Sequence, residues 1–372
     1  IFTNEIIKNL NSTPGRDFIF TVTSQCHGKY PDSFSGGEIT VTGSEGIKSI
    51  KPQLEYLLLL QHFREYTHGI FDWLFYYITY FGDFIIAFLI IALAYWVIDK
   101  KCGFLMFLNL SFGLLVNQLI KCSACIYRPW ILDDRIKPLA SAMKTAGGYS
   151  FPSGHTAIAT STLGSIAITL WKNKIIRYSM FLLILLVAFS RNYLGVHTPQ
   201  DVTISFILGI TLLFLSPKIQ KWVDDGKNRD LILYLGIIVI CVLLTIYTAL
   251  KSYPIDILDG KILVDPQKMK IDSYPKTALT IGFFSGWLLD RKIIKYDEKS
   301  GTIISKIFTF LIGAMLICAM MRESTPFISS HIPVALDVFA RFITIGFFIT
   351  GLYPAIIKLY RLIIKKFIKN SN

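Results

Sequence analysis

Apolar residues fall along the chain in long blocks, at about 70–98, 103–127, 153–171, 175–193, 199–215, 231–250, 277–289, 303–321 and 336–360. At ~1.5 Å of rise per residue, roughly 20 residues cross a ~30 Å hydrocarbon core, so most of these blocks read as single transmembrane helices. The first is too long for one straight crossing. A tilted or broken helix hinged near Gly82 accounts for it, and a short re-entrant piece followed by one span is the alternative. The block at 277–289 is short for a crossing. Residues 54–66 mix Leu57, Leu58, Leu60 and Phe63 with Glu55, Gln61, His62, Arg64 and Glu65, which suits a helix lying in the interface or one packed as in a soluble protein. Residues 1–53 are polar, with Gly and Ser clusters and two strand-like runs at 18–23 and 38–42, and read as an appendage with no assigned role.

The architecture expected is all-α, a polytopic membrane helical bundle with one unit over 54–216 and additional C-terminal transmembrane helices over 217–372. Composition agrees, since 372 residues are 53% hydrophobic, only 17% charged, and have a mean hydropathy of +0.52. In a soluble protein the net charge of +13 would suggest nucleic acid. Here the cations mark every second connection: Lys100 and Lys101; Lys172, Lys174 and Arg177; Lys218, Lys221, Lys227 and Arg229; Arg291, Lys292, Lys295 and Lys299; then Arg361, Lys365, Lys366 and Lys369. By the positive-inside rule these connections and the C-terminus are cytoplasmic and the intervening loops face out, with no nucleic-acid partner. The loop at 251–276 is also Lys-rich but balanced by Asp256, Asp259, Asp265 and Asp272, and reads as a folded external hairpin. The spacing of those four Asp fits no familiar cation loop. Cys122 and Cys125 have C-x-x-C spacing without the second pair a zinc site needs, and read as small residues on a packed helix.

Against this background the polar residues near 121–201 stand out, because Lys, Arg or Asp deep in a membrane segment costs ~2.5–3.5 kcal/mol on insertion scales. Lys121 and Arg128 are close to two helical turns apart, so both are expected on one face of the second span, with Pro129 ending the helix. Two cations at one mouth suit a phosphate, or are snorkelling side chains at a helix end. Pro152-Ser153-Gly154-His155 opens a helix, whose free N–H groups and positive dipole end make an anion site; simple capping by Ser153 is the plainer reading. Arg191 ends the previous span. Thr198-Pro199-Gln200-Asp201 resembles a capping box. There Asp201 is either a helix-start carboxylate or the group that holds the ring of His197 and leaves its other nitrogen free to attack. Capping and catalysis are compatible at this position.

Taken together, Lys121 with Arg128-Pro129, Pro152-Ser153-Gly154-His155, and Ser190-Arg191 with His197 and Asp201 resemble the signature of the type-2 phosphatidic acid phosphatase family, the lipid phosphate phosphatases that share a core with vanadium haloperoxidases. The resemblance covers about residues 69–216 and has no departure at a signature position. It implies a phosphatidic acid phosphatase-like core in which His197 is the nucleophile, Asp201 orients it, and His155 protonates the leaving oxygen. Lys121, Arg128, Ser153, the Gly154 backbone and Arg191 would bind the phosphoryl oxygens, with no metal and no cofactor. The segment 190–197, the interfacial helix and the extra C-terminal spans also resemble the sphingosine-phosphate phosphatase branch and its bacterial relatives, although that branch's Pro-Ser-Thr-His variant is here Pro-Ser-Gly-His.

The expected activity is hydrolysis of a lipid phosphate on the extracytoplasmic face. Undecaprenyl diphosphate, phosphatidate, phosphatidylglycerophosphate and sphingoid phosphate are the substrates to test. A phosphotransferase using the same intermediate, or a non-catalytic lipid-phosphate binder or transporter, are the alternatives; polar residues gathered at one membrane face, not along the span interiors, favour the enzyme. The C-terminal helices carry no comparable constellation, His331 and Arg322 with Glu323 reading as solvated loop residues. Covering the active-site bundle, mediating a homodimer and shaping lipid access are their open roles.

Overall fold

The computed structural model describes residues 44–258, 261–322 and 332–371, so the strand-like runs at 18–23 and 38–42, and Glu323 and His331, lie outside the described residues. The chain divides into two compact units, residues 1–56 and 57–372. Helix α1, Ser44–Tyr66, starts in the first. Everything that follows is the second.

The helices come in the order α2 (Asp72–Ile78), α3 (Phe84–Leu93), α4 (Lys100–Ala124), the single turns α5 (Pro129–Leu132) and α6 (Ala140–Met143), then α7 (Gly154–Thr169), α8 (Lys174–Tyr193), α9 (Pro199–Asp224) and α10 (Arg229–Leu250). A ladder of β1 (Ile257–Leu258) against β2 (Lys261–Ile262) follows, in the loop expected to form a hairpin. Then come α11 (Pro266–Leu289), α12 (Ile303–Met320), α13 (Val334–Phe347) and α14 (Tyr353–Ser371). Among the described residues six helices are long and apolar enough to cross a membrane, or up to seven if the bent pair 72–82 and 84–98 counts as one span, so this is a multi-pass membrane protein with an all-α bundle.

The pattern of apolar blocks suggested more crossings. Helix α7 has only 16 residues, rich in Ser and Thr, and α11 carries Lys268, Lys270, Asp272 and Lys276 in its first half, so neither meets the length and hydropathy of a lipid-facing span. The break expected near Gly82 is there, with a 54° bend and the Asp83 carboxylate capping α3 through the Ile85 amide at 3.0 Å.

Caps set the other boundaries. Asp99 accepts from the Lys101 and Cys102 amides at the start of α4, and Cys125, left-handed at φ 49°, stops it. Helix α4 is the buried centre of the bundle, with Phe107, Leu108 and Leu110 fully enclosed, whereas Leu182, Leu185, Phe214, Leu243, Phe308 and Met315 on the outer helices are exposed. An apolar exterior of this kind is stable in lipid, where burial of Leu brings little gain and close packing holds helices together. Small residues on the inner helices serve that packing: a Cβ on Gly282 of α11 would sit 2.1 Å from the Ile343 carbonyl of α13. One hydrophobic core runs from Phe88, Trp96 and Phe107 through Phe283 and Trp287 to Ile349 and Tyr353.

The two ends of the bundle differ. At one, the fully buried Asp290 accepts from Tyr95 Oη at 2.7 Å and the Tyr296 amide at 2.8 Å and pairs with Lys100, while Arg291 pairs with Asp224 and Asp230. At the other meet the end of α4, the start of α7, the end of α8, the start of α9 and the bend before α3.

Candidate active site

That second end gathers the polar residues of the signature. The 125–153 connection folds over it, tied down by Ser150 N–H to the Ile126 carbonyl at 2.7 Å and by Leu139 N–H to the Leu194 carbonyl at 3.1 Å. Gln61 and Arg64 of α1 hold its outer part through the backbone of Arg135 and Lys137. The capping box at α9 is complete: Thr198 Oγ1 accepts from the Asp201 amide at 3.3 Å, and Asp201 Oδ2 accepts from the Thr198 amide at 2.8 Å.

His197 lies one residue before that box and is 2% exposed. Its Nδ1 is 3.1 Å from Asp201 Oδ2, and its Nε2 is 2.9 Å from Arg128 Nη1. A guanidinium only donates, so Nε2 is the acceptor and the ring proton sits on Nδ1, facing the carboxylate. The two partners therefore select one tautomer. Ser150 Oγ donates to Asp201 Oδ2 and Asn192 Nδ2 donates to the His197 carbonyl at 2.8 Å, fixing the pair further. His197 is held neutral well below the usual imidazole range, first by burial and then by the charges of Arg128, Arg191 and Lys121.

The three cations are not equivalent. Arg128 lies beyond the end of α4, on extended backbone at φ −69° and ψ 153° before Pro129. The expectation that it shares a helical face with Lys121 is therefore corrected: the left-handed Cys125 ends the helix four residues after Lys121. Arg128 meets the site by wrapping into the connection, donating to the Gly147, Gly148 and Val196 carbonyls besides His197. Lys121 Nζ donates to the Tyr149 and Ser150 carbonyls at 3.0 and 3.2 Å, which leaves one of its three protons. Arg191, fully buried, is engaged only through Nη1, to Thr79 Oγ1 at 2.8 Å; its Nε and Nη2 have no partner. Leaving such groups unmet costs about 1–3 kcal/mol or more for a charge, so these nitrogens are donors suited to an anion.

Ser153 caps α7, accepting from the Thr156 amide and hydroxyl, while its own amide donates to the Asp201 carbonyl and its carbonyl accepts from Ser205 and Asn117. The first amides of a helix have no intrahelical partner, which leaves those of Gly154 and His155 at the α7 start. A Cβ at Gly154 would meet nothing within 4 Å, whereas one at Gly82 would sit 2.5 Å from the His155 carbonyl oxygen, so the bend packs directly on His155. Sequence reasoning missed Ser150, Thr79, Asn117, Asn192 and Ser205. Asn117 was the detectable one, an amide inside an apolar block. Asp256 and Asp265 are engaged elsewhere, one by Tyr127 and one as the cap of α11, and among the described residues no three His, Cys, Asp or Glu side chains converge to hold a metal.

Residues 103–225 match the PAP2 superfamily, and residues 275–365 match the PAP2 superfamily phosphatase, transmembrane extension. Over 122 residues, 33% of this chain and 57% of the relative, the chain is 27% identical to an undecaprenyl-diphosphatase of Sulfolobus acidocaldarius. Over 121 residues, 30% of this chain and 55% of the relative, it is 33% identical to the phosphatidylglycerophosphatase B of Bacillus subtilis. The chain thus spans little more than half the length of these curated relatives. No solved structure matches it.

Proposed function

We propose, from the premise that this chain carries a PAP2 superfamily domain and that superfamily's transmembrane extension, that it is an integral membrane lipid phosphatase working through a phosphohistidine on His197. One observation carries the reading: a buried imidazole with its lone pair on Nε2 lies among three cations, one of which, Arg191, has two nitrogens without a partner. That is the inventory needed to bind a phosphoryl group and attack it.

In this reading the phosphate takes the unmet donors of Arg191, the remaining proton of Lys121 and the first amides of α7, and draws Arg128 off the Nε2 lone pair. Nε2 then bonds phosphorus in line with the leaving oxygen, Asp201 stabilises the imidazolium that forms, and His155 gives its proton to the leaving oxygen. Water cleaves the N–P bond in the second half, returning a proton to His155. The electrostatic share of the acceleration falls to the cations and amides, and a placed acid adds ~10²–10⁴-fold. Lys121 and Arg128, each bound to several carbonyls, also hold the 147–150 segment in place.

The relatives point to a lipid diphosphate or a phosphatidylglycerophosphate as substrate, and the distribution of Lys and Arg supports a site on the extracytoplasmic face with a cytoplasmic C-terminus. We assign the catalytic unit to about 54–216, with 217–372 as accessory helices. The test is phosphate release from a panel of lipid phosphates and diphosphates by the purified chain in detergent with EDTA, beside His197→Ala. Release that survives EDTA and falls to background in the variant is expected. No release from any lipid by folded protein, or release that His197→Ala leaves intact, would refute the proposal.

A further inference from the structure

A cavity of ≈ 140 Å³ opens beside the polar cluster. His155 and Thr79 line it, and Thr79 accepts a hydrogen bond from Arg191. Ser141, Lys144 and Thr145 come from the connection before α7, and Asp83 from the bend. Tyr76 and Tyr80, whose phenols are 2.8 Å apart, complete the lining with Ala142, and most of the lining surface is carbon, with the polar groups of Ser141, Lys144, Thr145 and His155 set into it. Lys144 is exposed and forms no ion pair among the described residues.

We propose that this cavity is the leaving-group subsite and that it receives the second phosphate of a lipid diphosphate, held by Lys144 with the hydroxyls of Ser141 and Thr145. The inference rests on the phosphatase reading, in which His155 protonates the leaving oxygen: whatever lies against His155 is then the leaving group. For a diphosphate, Nε2 of His197 bonds the terminal phosphorus and the bond from that phosphorus to the bridging oxygen breaks. The electron pair stays on that oxygen, which takes the proton of His155, and a lipid monophosphate departs.

For a phosphomonoester the leaving group is instead an alcohol on a hydrocarbon, which offers the Lys144 ammonium no charge to pair with. Size agrees. A space of ≈ 140 Å³ accommodates a group of phosphate size. Asp83 is the opposing charge in the lining. Its Oδ1 caps α3, so the positive end of that helix offsets part of the charge, and it is the negative control the protein supplies.

Two readouts on the full chain in detergent test the subsite. The first is binding of inorganic pyrophosphate and inorganic phosphate, by calorimetry or thermal protection. Pyrophosphate is expected to bind about tenfold more tightly, the scale of one charge-assisted hydrogen bond. Lys144→Ala should close that gap to within about twofold, Lys144→Arg should keep it, and Asp83→Asn, which retains a capping oxygen, should widen it. Equal binding of both anions by the unaltered protein, or a gap that Lys144→Ala leaves in place, overturns the proposal.

The second readout is kcat/KM for farnesyl diphosphate against farnesyl monophosphate, which differ by one phosphate. Lys144→Ala should lower the diphosphate-to-monophosphate ratio about tenfold with monophosphate turnover little changed. Both substrates falling in step would mean a structural role and overturn it. The phosphatase reading fails separately, on absence of release from every lipid of the panel, and the pyrophosphate gap then decides the subsite on its own.

Discussion

Asp201 on one side and Arg128 on the other leave the His197 imidazole a single useful tautomer, and burial among cations keeps it neutral. The sign of the pH dependence follows. Neutral His197 is the attacking form, and a lowered pKa moves its deprotonation to lower pH, so the ascending limb of kcat/KM should lie below pH ~6.5, the ordinary imidazole value. A pH profile in detergent checks this, and an ascending limb centred at neutral pH or above would contradict it. Arg191 supports a second prediction. Its Nε and Nη2 have no protein partner among the described residues, so Arg191→Met should change thermal stability little while abolishing protection by inorganic phosphate. In the unaltered chain that protection would reach about 2.7 kcal/mol at a hundredfold excess over Kd. A variant still protected by phosphate would show that the anion binds elsewhere. At this scale the ionisable site residues were legible from sequence, because a charge beside an apolar block is conspicuous. Thr79 was not: Ser and Thr in helices commonly satisfy themselves on their own backbone, and its partner Arg191 is 112 residues away, beyond any local pattern.

Helix ends carry the site. The start of α7, the capping box of α9, the last turn of α8 and the broken segment at Gly82 converge, so each functional side chain is aimed by a cap or a break. The capping box at Thr198 and the cap at Ser153 could be read from sequence because both rest on contacts within three residues. The end of α4 could not. Periodicity carried the helix toward Tyr127, but Cys125 turns left-handed and the 125–153 connection takes over, a choice made by its tertiary hydrogen bonds to Val196, Leu194 and Ile126. Gly82 is the most exacting contact between elements. A methyl there would press on the backbone of His155, which cannot rotate away, so Gly82→Ala should cost roughly 1–3 kcal/mol of stability and lower kcat by displacing the proposed acid. Unfolding and turnover measured on the same preparation check this, and full activity at full stability would contradict it.

Across the whole molecule, chemistry and anchoring are separated. The proposed reaction occupies one end of the bundle, while the other holds the cationic connections, the Lys100–Asp290 pair that ties an early helix to a late one, and the Arg291–Asp230 pair between two late helices. The apolar blocks gave away the membrane and the all-α class, although two of them, α7 and the later half of α11, belong to helices packed inside the bundle that fall short of the length or hydropathy of a lipid-facing span. Phe283, Ile349 and Tyr353 of the C-terminal helices share one core with Phe88 and Phe107, a pairing that lies beyond any local pattern. The account depends most on a covalent bond to one nitrogen. Rapid quenching of the purified chain with a lipid diphosphate labelled in its terminal phosphate, followed by peptide mapping, tests that bond. An acid-labile, alkali-stable phosphate on His197, absent from His197→Ala, is the result expected here. Turnover that continues in His197→Ala, with no label trapped on His197 in the unaltered chain, would contradict it.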